Sequence, residues 1–273
     1  MRQQGSVIQS VKGSTGSRIR SISPLLPALP VIDRTIIISH GDWANMAVIS
    51  ISIGGSILVP GKPDIDFVKR LAVLLVHKAQ SHKLVCVVGG GTLARDYIEP
   101  CRKHLGADES FLDEMGIRAT RLNACVLLAA LQKNAYHKVA ETLDEGVNAL
   151  AHHNIVVMGG THPGHTTDAV TVFMAEKAHA DRILITTNVE GVYTADPKKD
   201  PKAKLLERLT PQQLVDIVGS MPHEAGSKGV IDPIGAKLIA RSRILTYVLD
   251  GRDLKNLASA IEGRQFKGSV IKA

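Results

Sequence analysis

The chain has 273 residues, which is enough for one large α/β domain or two smaller domains, with a sizeable core. No apolar run approaches the roughly 18 residues that a transmembrane helix requires, which argues against a membrane-spanning protein. There are 33 Lys and Arg residues against 26 Asp and Glu, and the net charge of +7 suits acidic ligands such as nucleotides or nucleic acid. Only 3% of residues are aromatic, so the stacking surfaces that single-strand binders use are scarce.

The three cysteines are odd in number and have no C-x-x-C spacing, so they indicate neither a disulfide framework nor a zinc site. Cys86 lies inside the apolar run 84–88, where a small buried thiol is the simplest interpretation. Because free thiols fit a reducing compartment, we expect a cytoplasmic protein.

Residues 1–45 differ in composition from the rest of the chain. They mix Ser, Gly and Arg, continue into a proline-rich stretch at 24–30, and lack the apolar segment and cleavage site of a secretory signal. This composition predicts a disordered extension. A second interpretation is that translation starts at Met46, which makes the extension an artefact of start assignment.

From Met46 onward, short apolar runs rich in β-branched residues alternate with stretches of helical periodicity. The runs predicted as strands are 48–53, 84–88, 155–158 and 183–186. The stretches predicted as helices are 66–80, 92–104, 111–131 and 168–178. Repetition of strand, glycine turn and helix is typical of parallel βαβ units, so we predict a three-layer α/β/α sandwich with a mainly parallel sheet. The third helix is so apolar over 124–131 that we expect it to lie at a subunit interface as well as in the core.

Three predicted strands end in paired glycines, in the turns Gly54-Gly55-Ser56, Gly89-Gly90-Gly91 and Gly159-Gly160-Thr161. Any tight turn can require glycine, yet ordinary turns seldom require pairs of them repeatedly. At the carboxyl ends of parallel strands, free backbone N–H groups and helix N-termini attract anions. Neither the P-loop pattern nor the dinucleotide fingerprint is present. The turns therefore predict a phosphate-binding protein outside those two classes.

Five segments occur in the order of motifs found in one known family. They are Ile53–Ser56, Val88–Arg95, Gly116–Ala124, Gly159–Ala169 and Thr187–Pro197. Together they resemble the archaeal-type UMP kinases of the amino acid kinase superfamily, and the resemblance extends from about residue 47 to the C-terminus. It implies an amino acid kinase domain over 46–273, with an acceptor-binding half at about 46–165 and an ATP-binding half at about 166–273.

The resemblance implies transfer of the γ-phosphoryl group of ATP to UMP, which forms UDP and ADP in pyrimidine nucleotide synthesis. It also implies Mg²⁺ carried by ATP without a metal site of the protein, and a homo-oligomer that is a hexamer. No membrane or nucleic-acid partner is expected. Such a reaction depends less on covalent chemistry than on aligning two phosphates and neutralising their charge. Glycine turns and helix N-termini can supply both.

The resemblance also assigns residues to each substrate. Those implied for ATP are Gly55, Ser56, Gly91, Arg95, Thr187, Asn188, Tyr193 and Asp196. Those implied for UMP are Gly90, Asp113, Thr161, His162, Pro163, Gly164, His165, Thr166 and Thr167. The catalytic set is Lys237, Asp168, Gly55 and Ser56. A loop over 223–229 is expected to be mobile near the nucleotide.

One position departs from the superfamily pattern. Many members have a lysine two residues before the first glycine, and Ser52 stands there in this chain, so no cation is available at that point. We expect Lys237 to supply the positive charge and Asp168 to orient it. For Arg95 and Lys237 an ordinary solvated helix position remains open, and for Asp113 a helix cap or an exposed acid.

Three other functions remain open at this stage. An oxoanion-storage subunit uses the same fold to bind ATP, although the intact segment 161–168 argues against it. An isopentenyl phosphate kinase of the same superfamily has a histidine in the second glycine turn, whereas Thr92 and Leu93 follow Gly91 here. An RNA-binding module would depend on the basic charge and on residues 1–45.

Overall fold

The computed structural model of the protein describes residues 46–197, 199–220 and 230–273. The described residues belong to one compact unit within residues 41–273. The extension predicted over 1–45 and the loop expected over 223–229 lie outside the described residues. The division into an acceptor half and an ATP half stays a prediction.

Seven strands of the described part form one mainly parallel sheet. They are β1 (Ala47–Ile53), β2 (His82–Val88), β3 (Ile155–Met158), β4 (Arg182–Thr187), β5 (Arg208–Leu209), β6 (Leu245–Asp250) and β7 (Ser269–Ile271). Their order in the sheet is β3-β2-β1-β4-β6-β7-β5, with β6 and β7 antiparallel. The central strands are buried on both faces, which explains why they form continuous apolar runs in the sequence.

The order of the strands reverses next to β1. From β1 the chain continues outward through β2 to β3, and it then returns to place β4 on the other side of β1. In open parallel sheets, ligands bind beyond the carboxyl ends of the strands at such a reversal. The glycine turns that follow β1 and β2 lie at this point.

Helices cover both faces of the sheet. They are α1 (Gly55–Leu58), α2 (Ile65–Lys78), α3 (Gly91–Pro100), α4 (Glu109–Leu131), α5 (Leu143–His152), α6 (Thr167–Lys177), α7 (Pro211–Ser220), α8 (Pro233–Ser242) and α9 (Leu254–Ile261). Leu84 and Cys86 of β2 join the core formed with α2, α4 and α9, whereas Val85 and Val87 join the core on the side of α5 and α6. The remaining core on that side is formed with α7 and α8. The predicted three-layer α/β/α sandwich is therefore confirmed.

The buried thiol predicted at Cys86 is confirmed. The side chain is fully buried in β2, and burial raises the pKa of the thiol to about 12. All three cysteines are unpaired. In the described part of the chain, no helix is long and apolar enough to cross a membrane.

The helix predicted over 92–104 differs in detail from the observed one. The α-helix α3 ends at Pro100 and continues as a π-helical turn over Cys101–Leu105, which Gly106 ends with a φ of 63°. The strands β5, β6 and β7 were not predicted. Two of them have only two or three residues, and the third contains the polar residues Thr246 and Tyr247.

Candidate active site

The first and second glycine turns touch each other through their backbones. A Cβ atom on Gly55 would lie 2.2 Å from the carbonyl oxygen of Gly89 and 2.4 Å from the amide nitrogen of Gly91. Gly91 also has a φ of 61°, which an L-residue with a side chain rarely adopts. Only glycine therefore fits at both positions, and the sequence-predicted residues Gly55, Ser56, Gly90 and Gly91 lie together.

The second turn presents free hydrogen-bond donors. Within the described part of the chain, no hydrogen bond uses the amide N–H group of Gly90 or Gly91. Both carbonyl groups next to them are occupied, because Asn123 of α4 donates from its side-chain amide to the carbonyl oxygens of Gly89 and Gly90 at 2.9 Å each. The turn can accordingly donate hydrogen bonds from these two N–H groups to an anion.

The predicted acceptor segment, residues 161–167, runs from the end of β3 to the start of α6. Asp113 of α4 anchors it by accepting a hydrogen bond from the amide of Gly164 at 2.6 Å. The hydroxyl oxygen of Thr167 lies 3.5 Å from where a Cβ on Gly89 would be, so the segment ends beside the second turn. Its exposed residues are His162, Pro163, Gly164 and His165, while Thr161, Thr166 and Thr167 are half-buried.

Two side chains of α4 bind the third glycine turn, and the sequence alone assigned neither of them a role. Thr120 accepts a hydrogen bond from the amide of Gly160 at 2.6 Å and donates to the carbonyl of Ile117. Arg121 donates to the carbonyl of Gly160 at 3.2 Å and pairs with Glu141 at 2.6 Å. Together with Asp113 and Asn123, these residues make α4 the element that holds the acceptor side in place.

Asp168, in the first turn of α6, lies between two neighbours from distant parts of the chain. Ser52 of β1 donates its hydroxyl hydrogen to Asp168 Oδ1 at 2.8 Å. The backbone N–H of Asp232 donates to the same carboxylate. Burial, and then the negative charge of Asp232, raise the pKa of Asp168 to about 6 despite these two hydrogen bonds.

The N-termini of α6 and α8 are joined to each other. Thr166, the N-cap of α6, donates its hydroxyl hydrogen to Asp232 Oδ2 at 2.6 Å. Asp232 is the N-cap of α8 and accepts at Oδ1 from the amides of Ile234 and Gly235. Two positive helix ends therefore meet beside Asp168, where they favour a negatively charged ligand.

Lys237 is exposed on the surface of α8. Among the residues described, its ammonium group has no hydrogen bond or ion pair. The first turn of its helix touches Asp168, since a Cβ on Gly235 would lie 2.9 Å from Asp168 Cβ. The structure thus brings Lys237 to the helix that borders Asp168 and leaves its charge available.

Four of the residues predicted for ATP, namely Thr187, Asn188, Tyr193 and Asp196, follow the carboxyl end of β4, which lies next to that of β1. Thr187 ends β4 and Asn188 follows it in an exposed position. Tyr193 is half-buried, donates to Glu190 at 3.2 Å, and has a pKa raised by burial and by that carboxylate. Asp196 is half-buried in the turn that follows.

Arg95 lies in α3, on the other side of the first two turns from these residues. It is half-buried and donates to the Thr92 hydroxyl at 3.1 Å, on the first turn of the same helix. Its guanidinium group therefore stays close to the second glycine turn. Across the described ranges, no group of three or more His, Cys, Asp or Glu side chains is arranged to hold a metal ion.

Comparison with known proteins assigns this chain to a family. The model of the amino acid kinase family matches residues 47–250. The chain belongs to the amino acid kinase family. Within it, the uridylate kinase of Pyrococcus abyssi is 47% identical over 220 residues, which are 81% of this chain and 97% of that protein. The uridylate kinase of Thermococcus kodakarensis is 45% identical over the same shares.

Solved structures of the family agree with this assignment. The crystal structure of uridylate kinase from Archaeoglobus fulgidus matches with a TM-score of 0.74 and 44% identity, covering 83% of this chain and all of that one. The resemblance to the archaeal-type UMP kinases, drawn from five short segments, is confirmed. This member of the amino acid kinase family thus carries its two contacting glycine turns on the family's fold.

Proposed function

We propose that this protein is a UMP kinase, which transfers the γ-phosphoryl group of ATP to UMP and releases UDP and ADP. The observation that carries the proposal is the backbone contact between Gly55 and the turn Gly89–Gly91, beside the acceptor segment 161–167. Two phosphates bound on these turns lie next to each other, as an in-line transfer requires. The names of the relatives support UMP as the acceptor.

ATP binds on the side of β4 in this proposal. Gly55, Ser56 and Gly91 hold its phosphates, and Arg95 approaches them from α3. The nucleoside is held by Thr187, Asn188, Tyr193 and Asp196. The half-buried Tyr193 ring supports this arrangement, because an aromatic ring covers a purine well.

UMP binds between α4 and the acceptor segment. Its phosphate contacts Gly90 and the segment Thr161–Thr167, and its ribose hydroxyls contact Asp113. The free N–H of Gly90 supports the first contact. Asp113 supports the second, because Gly164 occupies only its Oδ2 and leaves the other carboxylate oxygen for the ribose.

Several groups of the protein neutralise the negative charge of the phosphoryl group during its transfer. Lys237 provides the cation that Ser52 lacks, and the joined N-termini of α6 and α8 provide partial positive charge. Mg²⁺ carried by ATP would add positive charge to this neutralisation. Asp168 positions the donors around it.

The assembly we propose is a homohexamer that acts in pyrimidine nucleotide synthesis in the cytoplasm. Ala124, Leu127 and Leu131 of the apolar stretch of α4 belong to the core. The exposed strip of the same helix includes Leu122 and Cys125, and Leu122 is 59% exposed. An apolar strip of this kind supports a subunit interface.

A coupled assay with ATP tests the substrate assignment. The panel of acceptors is UMP, CMP, dTMP, carbamate, acetylglutamate and isopentenyl phosphate, offered to the purified full chain. We expect turnover with UMP well above that with every other acceptor. Activity confined to another acceptor would refute the assignment, and protein purified with bound metal oxoanion but inactive on the whole panel would favour the storage subunit.

A further inference from the structure

Asn123 is a polar residue in the apolar middle of α4, and its side chain is only 1% exposed. Its neighbours Ala124 and Leu127 belong to the core. A buried amide is costly unless its hydrogen bonds are made, and Asn123 makes two of them, both to carbonyl groups of the second glycine turn.

These two bonds determine where the neighbouring N–H groups point. In a trans peptide the carbonyl group and the following N–H group lie in one plane and point in opposite directions. Drawing the carbonyls of Gly89 and Gly90 toward α4 therefore turns the N–H groups of Gly90 and Gly91 away from it.

We propose that Asn123 is a positioning residue, which aims the Gly90 and Gly91 N–H groups at the phosphoryl group while it crosses between the nucleotides. The inference rests on the proposed UMP kinase function and adds a residue to it. Glycine peptides rotate with little steric hindrance, so the turn needs an external restraint. A peptide that flips there would present a carbonyl oxygen to the phosphates in place of a donor.

The third turn shows the opposite arrangement. Thr120 accepts from the Gly160 N–H, so that donor is already used within the protein. Both side chains belong to α4, but Thr120 uses the N–H donor of the third turn, whereas Asn123 binds only carbonyl groups and leaves the N–H donors of the second turn free for a ligand. This difference limits the proposal to Gly90 and Gly91.

The test compares Asn123→Leu, which keeps the size of the side chain and removes both donors, with a matched control. The control is Asn154→Leu, because Asn154 Nδ2 also donates to a backbone carbonyl at 2.9 Å, that of Ala79, before β3 and away from the carboxyl ends of the strands. Donors preorganised for transition-state charge act on kcat, so we expect Asn123→Leu to lower kcat about 100-fold while either KM changes less than about threefold. We expect the control to keep kcat within about twofold of the wild type.

Thermal unfolding of both variants shows whether a loss of kcat comes from lost positioning of the N–H groups or from lost stability of the fold. If Asn123→Leu does not fold, Asn123→Ala is measured in its place, with Asn154→Ala as its control. A raised KM at unchanged kcat, or an equal loss of kcat in variant and control, would overturn the proposal. Wild-type protein without activity on UMP would instead overturn the proposed function, so the two failures are distinguishable.

Discussion

Ser52 and Asp168 are joined by a hydrogen bond of 2.8 Å between the hydroxyl and Oδ1, although they are 116 residues apart in the chain. The resemblance led us to expect a lysine at position 52, and in this chain a neutral hydroxyl faces the carboxylate instead. The negative charge of Asp232 lies beside this carboxylate and, after burial, helps to raise its pKa. Three consequences of this arrangement, and one of the anchor on α4, are testable.

The raised pKa of Asp168 predicts a conflict between stability and function. Its pKa of about 6 in the folded protein exceeds the ordinary 3.8, so the ionised form at neutral pH destabilises the fold. Asp168→Asn should therefore raise the free energy of unfolding at pH 8 by about 1–3 kcal/mol, and this gain should fade as the pH falls below about 6. Activity should be lost at every pH.

Denaturant unfolding at pH 8 and pH 5 measures this effect. Asp216→Asn serves as the control, since Asp216 is exposed on α7 and pairs only with Gln212 among the described residues. A loss of stability at pH 8 in Asp168→Asn would contradict the prediction.

Removal of the Ser52 hydroxyl should shift the pH dependence of the reaction. The hydrogen bond from Ser52 favours the ionised carboxylate, so Ser52→Ala should raise the pKa of Asp168 above about 6. If the ionised form is the active one, the acidic limb of the kcat profile moves to higher pH. Rate measurements between pH 5 and 9 check this, and an unmoved limb would show that Asp168 does not control it.

Lys237→Ala should depress kcat far more than it changes the apparent affinity for either nucleotide. A cation that compensates charge only in the transition state affects the rate by about 10²–10³-fold when it is removed. Lys255→Ala on α9 is the matched control, because Lys255 is also an exposed helical lysine. A loss of ATP affinity equal to the loss of kcat would indicate a ground-state role instead.

Asp113→Ala should weaken UMP binding selectively. It removes the anchor of Gly164 and the proposed contact with the ribose, and hydrogen bonds to charged groups are worth about 1.5–3 kcal/mol each. We expect the KM for UMP to rise about tenfold or more, with the KM for ATP unchanged. Glu114→Ala tests the neighbouring exposed carboxylate, and an equal effect there would refute a specific role of Asp113.

The sequence alone determined the layers of this fold and the edge of the sheet at which the glycine turns lie. Parallel strands buried on both faces leave continuous apolar runs, and the runs at 48–53, 84–88, 155–158 and 183–186 correspond to β1 to β4. The glycine turns were recognised because a backbone contact as close as that of Gly55 excludes every side chain. Short strands such as β5 and β7 leave no such pattern, since two or three residues have no measurable period.

The tertiary structure alone decided which residues hold the site. Asn123 and Thr120 bind glycine turns 33 to 40 residues away in the chain, and Thr166 meets Asp232 across 66 residues. Hydrophobic periodicity indicates which face of a helix is buried. It does not indicate which backbone group a polar side chain on that face will meet, because that depends on how the helix is placed against the sheet.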